Sequence, residues 1–320
     1  MTRLRLSGRK TYPRYIVLVA FAAIISVSGG CQKSEQAPSG PKTFASPDAA
    51  ANAVYDAAKV GDGNALLAIF GPGATELLIS GDPVQDKVAR DKFAARYDQM
   101  HRWGKLKNGG VVLNVGAENY PFPFPLLRNS SGHWYFDSRE AKEEILVRRI
   151  GDNELAAIDV LNAMADAQSE YFSQTHDGSN VHQYAQKFVS DDGKQNGLYW
   201  KAAENQPESP LGPLAANASA EGYGGNPQQG PQPFHGYLYR ILTAQGEHAH
   251  GGAKSYIVKG AMTGGFAILA YPAEYRNSGV MTFIISRDGT VFQKDLGEKT
   301  SDIVKTMEEF NPDDTWSPVE

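Results

Sequence analysis

The stretch over residues 233–297, PFHGYLYRILTAQGEHAHGGAKSYIVKGAMTGGFAILAYPAEYRNSGVMTFIISRDGTVFQKDLG, most constrains what this chain can fold into. Apolar runs rich in β-branched and aromatic residues alternate with Gly clusters, the pattern of a twisted antiparallel sheet. Ser286-Arg287-Asp288-Gly289 places a hairpin turn between VMTFIIS and VFQKD. Such a sheet needs a cover, and residues 154–173 supply a helix with Leu155, Ile158, Leu161, Ala165 and Phe172 on one side. Upstream, a second set of helices and strands fills 44–150. The predicted fold class is α+β, with two domains, 44–150 and 151–320, each of helices packed on a small antiparallel sheet.

The N-terminus carries Arg3, Arg5, Arg9, Lys10 and Arg14, followed by the apolar run IVLVAFAAIISV over 16–27. That run is short for a membrane span and suits a signal peptide over 1–30. It ends in Ser28-Gly29-Gly30-Cys31, which resembles the lipobox cut by the bacterial lipoprotein signal peptidase, with Ser28 where Leu is usual. The resemblance implies acylation of Cys31; an ordinary secretory signal or an uncleaved anchor is the alternative. Cys31 is the only cysteine of the 320 residues, so no disulfide forms within the chain and stability must come from its cores. No Asp follows it. By analogy with other bacterial lipoproteins, this favours the periplasmic face of the outer membrane. Beyond position 30, 26 basic residues remain against 36 acidic ones, a balance that disfavours nucleic acid as a partner.

Residues 31–43 read as a flexible tether. Ser46, Pro47 and Asp48 start a first helix, with Ser as cap and Pro in the first turn. A second helix carries Leu66, Leu67, Ile69 and Phe70, and a third spans 83–103. Strands follow over 111–115 and 133–137. The prolines of Tyr120-Pro121-Phe122-Pro123-Phe124-Pro125 confine that segment to an edge or an extended surface. This order resembles the cone of nuclear-transport-factor-2-like domains. Gly151-Asp152-Asn153 is expected to break the helix over 140–174 and mark the domain boundary. The long helix before a short antiparallel sheet resembles a pilin head. Residues 202–233, rich in Pro and Gly, read as a structureless loop wrapping the sheet, docked by Leu211 and Leu214. A helix over 301–310 and a tail whose Trp316 packs back end the chain.

No motif names a reaction or a cofactor. There is no Gly-x-Ser-x-Gly elbow, the Gly-rich GAMTGGF precedes a strand rather than a helix, and no carboxylate run has EF-hand spacing. His248 and His250 are the only clustered pair. They sit between glycines at a hairpin tip, and a metal ion needs further fixed ligands, so a solvated loop is the competing reading. A binding surface is expected from Trp200, His235, Tyr237, Tyr239, Tyr271, Tyr275 and Arg276, because Tyr, Trp and Arg dominate interface hot spots. Packing against the helix is the alternative for the alternating Tyr237 and Tyr239. The leading expectation is a non-enzymatic envelope lipoprotein that meets a partner protein through its C-terminal sheet. The alternative is an enzyme or small-ligand binder with a pocket in the first domain, lined by Phe93, Tyr97 and Trp103. A deep cavity with converging polar groups would favour the alternative.

Several stretches also match one family together: RRIGDNELAAIDVL at 148–161, GLYW at 197–200, ESPLGPL at 208–214, FHGYLYRILTAQG at 234–246, MTGGFAILAYPAEY at 262–275, GVMTFIISRDGTVFQKDLG at 279–297 and the terminal NPDDTWSPVE. On these the chain resembles a bacterial exported family catalogued as a domain of unknown function, number 2950. The resemblance implies export and brings no activity, cofactor or site residue with it.

Overall fold

The computed structural model describes residues 40–202, 207–224 and 232–319. The expected signal peptide, Cys31 and most of the tether lie outside the described residues, as do parts of the 202–233 segment. The fold is α+β, and among the described residues its two largest hydrophobic cores share one helix.

Helix α1 (Pro47–Val60) begins where Ser46 accepts from the Ala49 N–H, and it ends at Gly61 in the left-handed conformation. Ala50, Val54 and Ala57 face inward. Helices α2 (Gly63–Phe70), α3 (Thr75–Leu78) and α4 (Pro83–Gln99) follow. Strands β1 (His101–Lys105), β2 (Val111–Val115), β3 (Tyr120–Pro121), β4 (Leu126–Arg128) and β5 (Trp134–Phe136) form a sheet of order β1-β2-β4-β5, with β3 beside β2. The third helix stops at Gln99, short of the predicted Trp103. The chain turns extended at Met100, and Trp103 of β1 pairs with Leu113 of β2, so sheet pairing overrides helical spacing. The PFPFP segment runs along the edge as expected. Its phenylalanines turn inward, with Phe124 buried and Phe122 packed beside it.

Helix α5 (Ser138–Phe172) runs 35 residues without a break. The expected interruption at Gly151 is absent because this segment is bonded from both sides. Arg149 donates to the Glu76 and Leu77 carbonyls, and Asn153 donates to the Ser278 carbonyl. These bonds offset the cost of about 1 kcal/mol that a mid-helix Gly carries relative to Ala. Of the predicted inward residues, Leu161 is buried and Ile158, Ala165 and Phe172 pack against the core. Ala157, Val160, Leu161 and Met164 are buried, while Leu155 is 66% exposed.

In the second lobe, α6 (Gly212–Glu221) occupies part of the segment expected to lack structure, with a proline in its first turn and left-handed Gly222 at its end. Leu211 is buried and Leu214 packs on the core. Strands β6 (Tyr237–Leu242), β7 (Ala244–Gln245), β8 (Lys254–Ser255), β9 (Ile257–Val258), β10 (Ala261–Met262), β11 (Ala267–Pro272), β12 (Met281–Ser286) and β13 (Val291–Asp295) precede α7 (Thr300–Thr306), β14 (Glu309–Phe310) and β15 (Ser317–Pro318). The main sheet, β15-β13-β12-β11-β6, is antiparallel throughout, with the predicted turn closing at Gly289. The last helix is shorter than expected because Phe310 leaves it to pair with Gln245.

Register shows what lies on each face of this sheet. Arg240, Leu269, Ile284 and Phe292 are successive cross-strand partners and share one face. Arg240 donates to the carbonyls of Val304, Lys305 and Met307, and Phe292 packs on Phe310, so α7 and β14 cover that side. Helix α5 packs on the sheet as well, and Ala267 to Ala270 are fully buried.

Candidate functional site

The two lobes are joined by polar groups that the sequence scatters over 200 positions. Asp82, buried, caps α4 through the N–H groups of Val84 and Gln85, and its other oxygen accepts from the Tyr223 hydroxyl at 2.9 Å and the Gly236 N–H at 3.0 Å. Gln85 donates to Asn153 at 2.7 Å, and Asn153 in turn donates to Ser278. Gly236 has φ +72°, and a Cβ there would run into the Asn153 amide. Asn277 bridges Arg149, the Ile79 carbonyl and Glu274. Glu154 accepts from the N–H groups of Val280 and Met281, both at 2.9 Å. This junction fixes where α4 and α5 stand relative to each other.

Between α4 and α5, above the first sheet, opens a cleft of about 650 Å³. Val54, Leu66, Phe70, Phe93, Phe122 and Phe124 give it an apolar interior. The Phe122 ring has those of Phe93 and Phe124 around it, with centroids at 4.8 Å and 5.3 Å. The lining also carries charges: Arg90, Lys92, Arg96, Arg148 and Arg149 against Asp86, Glu144 and Asp152. In a chain where acids outnumber bases, this excess of cations is local to the cleft. Arg96 and Arg148, from different helices, lie over the Tyr120 ring at 4.6 and 5.8 Å. Arg148 also donates to the Tyr120 hydroxyl and pairs with Glu144 at 2.7 Å.

Asp86 stands deeper. Burial pushes its carboxyl up from the usual carboxylate range, against the opposing pull of hydrogen bonds from Ser80 and the charges of Arg149 and Arg90. Arg149 is held down by its own burial, with Asp86 and Glu274 acting the other way. Among the described residues no His or Cys lines the cleft, and the Ser80 hydroxyl is bonded to the Asp82 backbone.

Of the three residues expected to line a first-domain pocket, Phe93 does so. Tyr97 is buried beside it, stacked on Tyr55 and His101, and Trp103 donates to Asp48 at 2.8 Å. The residues singled out as a binding surface are spread over the second lobe. Tyr237 is fully buried and donates to the Met281 carbonyl. Tyr239 packs on the same core, its hydroxyl 3.4 Å from the Phe234 carbonyl, and Tyr271 is partly buried on β11. Trp200 lies against Tyr171 and His176. Tyr275 bonds Asp295 under the Arg276 guanidinium. His235, with φ +50°, sits at the junction between Phe234 and Tyr223, its ring 3.4 Å from Glu221. His248 and His250 are exposed, and among the described residues no three His, Cys, Asp or Glu side chains converge as metal ligands.

The sequence reading missed Arg90, Arg96, Arg148 and Asp86. A signal was present in Arg90, Phe93 and Arg96, which at spacing three put cations and an aromatic on one helix face rather than on opposite ones.

Fold and cleft describe an α+β protein with an open cleft between α4 and α5. The chain belongs to the family described as Protein of unknown function (DUF2950), whose profile matches residues 41–319. No curated protein and no solved structure matches it significantly. Among the described residues no helix is long and apolar enough to cross a membrane.

Proposed function

We propose that this chain is an exported, lipid-anchored envelope protein that binds a small molecule in the cleft between α4 and α5. The cleft carries the reading: its volume lies within the range of ligand pockets, and polar groups converge over an apolar interior. Its lining favours binding over reaction, since among the described residues it offers one half-buried carboxylate with a raised pKa and no His or Cys to pair with a nucleophile. The main sheet of the second lobe, by contrast, has α7, β14 and α5 packed on it, which argues against it as the docking face. Cys31, after the apolar run over 16–27, supplies the anchor.

Two measurements test this. Native mass spectrometry of the chain extracted from its own envelope should show a retained small-molecule adduct. Ala89→Trp should lose it, because Ala89 is an exposed residue of the cleft lining and a Trp there fills the opening without entering the core. Identical spectra for the two proteins would remove the cleft from consideration. Cys31→Ser should release the protein from the membrane fraction, and unchanged fractionation would refute the lipid anchor.

A further inference from the structure

Resting on the cleft as the binding site, we infer that its ligand is a single-chain acyl amphiphile with one anionic headgroup, seated with the anion on Lys92 and Arg96 and the chain along Phe93, Phe122 and Phe70. Lys92 and Arg96 are one turn apart on α4 and both line the cleft. Like charges at that spacing repel unless an anion lies between them. The other cations have carboxylates near them: Arg148 pairs with Glu144, Arg149 is drawn toward Asp86 and Glu274, and Arg90 also acts on Asp86. Lys92 and Arg96 have no hydrogen-bond or ion-pair partner for their side chains among the described residues, and Arg96 is held only over the Tyr120 ring. A carboxylate or phosphate at the mouth would satisfy both, and a guanidinium flat on an aromatic plate keeps its N–H edge free to donate.

Shape selects the chain. A second hollow of about 230 Å³ shares Leu66, Leu78, Asp86 and Arg90 with the main cleft. In that second hollow the apolar lining continues on α2 through Leu66 and Leu67, beside Asp86 and Arg90. A bendable acyl chain can follow the phenylalanines and leucines of such an uneven lining, whereas a planar ring system covers only the part beside Phe122.

The test uses the full-length chain in isolated membrane vesicles, photolabelled with a diazirine-bearing palmitate and mapped by peptide mass spectrometry. Adducts are expected on peptides covering 88–96 and 120–124, and Ala89→Trp should remove them. Dodecanoate should compete about tenfold better than dodecanol, the factor supplied by one charge-assisted hydrogen bond. Arg96→Gln should erase that preference while leaving dodecanol competition unchanged; Lys92→Gln serves if the first variant fails to fold. Equal competition by acid and alcohol in the unmodified chain overturns the anionic seat. Absence of palmitate labelling while a diazirine-bearing benzoate labels the same peptides overturns the acyl class and leaves cleft binding standing. If neither probe labels them, both readings fall.

Discussion

Two carboxylates of the first lobe carry pKa displacements of opposite sign, and each makes a prediction. Burial raises Asp86, so the folded state holds its proton more tightly than the unfolded chain. Its ionisation therefore costs stability as pH rises above the ordinary carboxylate range, and the cost disappears when both states are protonated. Asp86→Asn should be more stable than the unmodified protein at pH 7 and indistinguishable from it at low pH, as read from urea unfolding at both. Asp137 is also desolvated, but hydrogen bonds from Arg139 outweigh that burial and lower it. It contributes stability that is present above the unfolded carboxylate pKa and lost as pH falls through the folded one. Asp137→Asn should therefore be the less stable protein at pH 7, with the gap closing on acidification. Asp137 also caps α5 through the Arg139 N–H, a role the residue order DSRE hints at. Nothing in the sequence marks Asp86 among the other charges of α4. What raises it is burial against residues that lie far away in the chain.

At the scale of elements, the cap of α1 was legible and the long helix was not. Ser46-Pro47-Asp48 starts α1 where local chemistry places it, since a cap needs only its own next three residues. Gly151 shows the limit of that locality. Its propensity argues for a break, yet α5 passes through it because Arg149 and Asn153 are held by the other elements of both lobes. A Cβ at Gly151 would meet nothing within 4 Å, and its φ is not positive. Gly151→Ala should therefore stabilise the protein by about 0.5–1 kcal/mol, measured as a raised denaturation midpoint at unchanged slope. A loss of stability would mean that the helix breaks there after all. Helix α6 teaches the converse: the Pro and Gly that made 202–233 look structureless are the start and stop of a helix over Gly212–Glu221.

For the whole molecule, α5 belongs to both cores, with Ala141 in the first and Ala157, Leu161 and Met164 in the second. Neither lobe can shed it without exposing its own core, so we expect one calorimetric transition with equal calorimetric and van't Hoff enthalpies. Asn153→Ala, which removes the bonds to Gln85 and Ser278, should lower stability by about 1–3 kcal/mol while keeping a single transition. Two separate transitions in the unmodified chain would contradict the shared helix. By itself, the sequence determined the α+β class, strands β2, β5, β12 and β13 and the cap of α1, because propensity, turn chemistry and periodicity act within a few residues. It also carries the features from which export is proposed. Only the tertiary structure decided that α5 is continuous, that the main sheet is covered by α7, and that a cleft exists. The cleft is built from residues between Val54 and Asn153 that become neighbours only when α4, α5 and the first sheet pack, and no local pattern encodes a space left between elements.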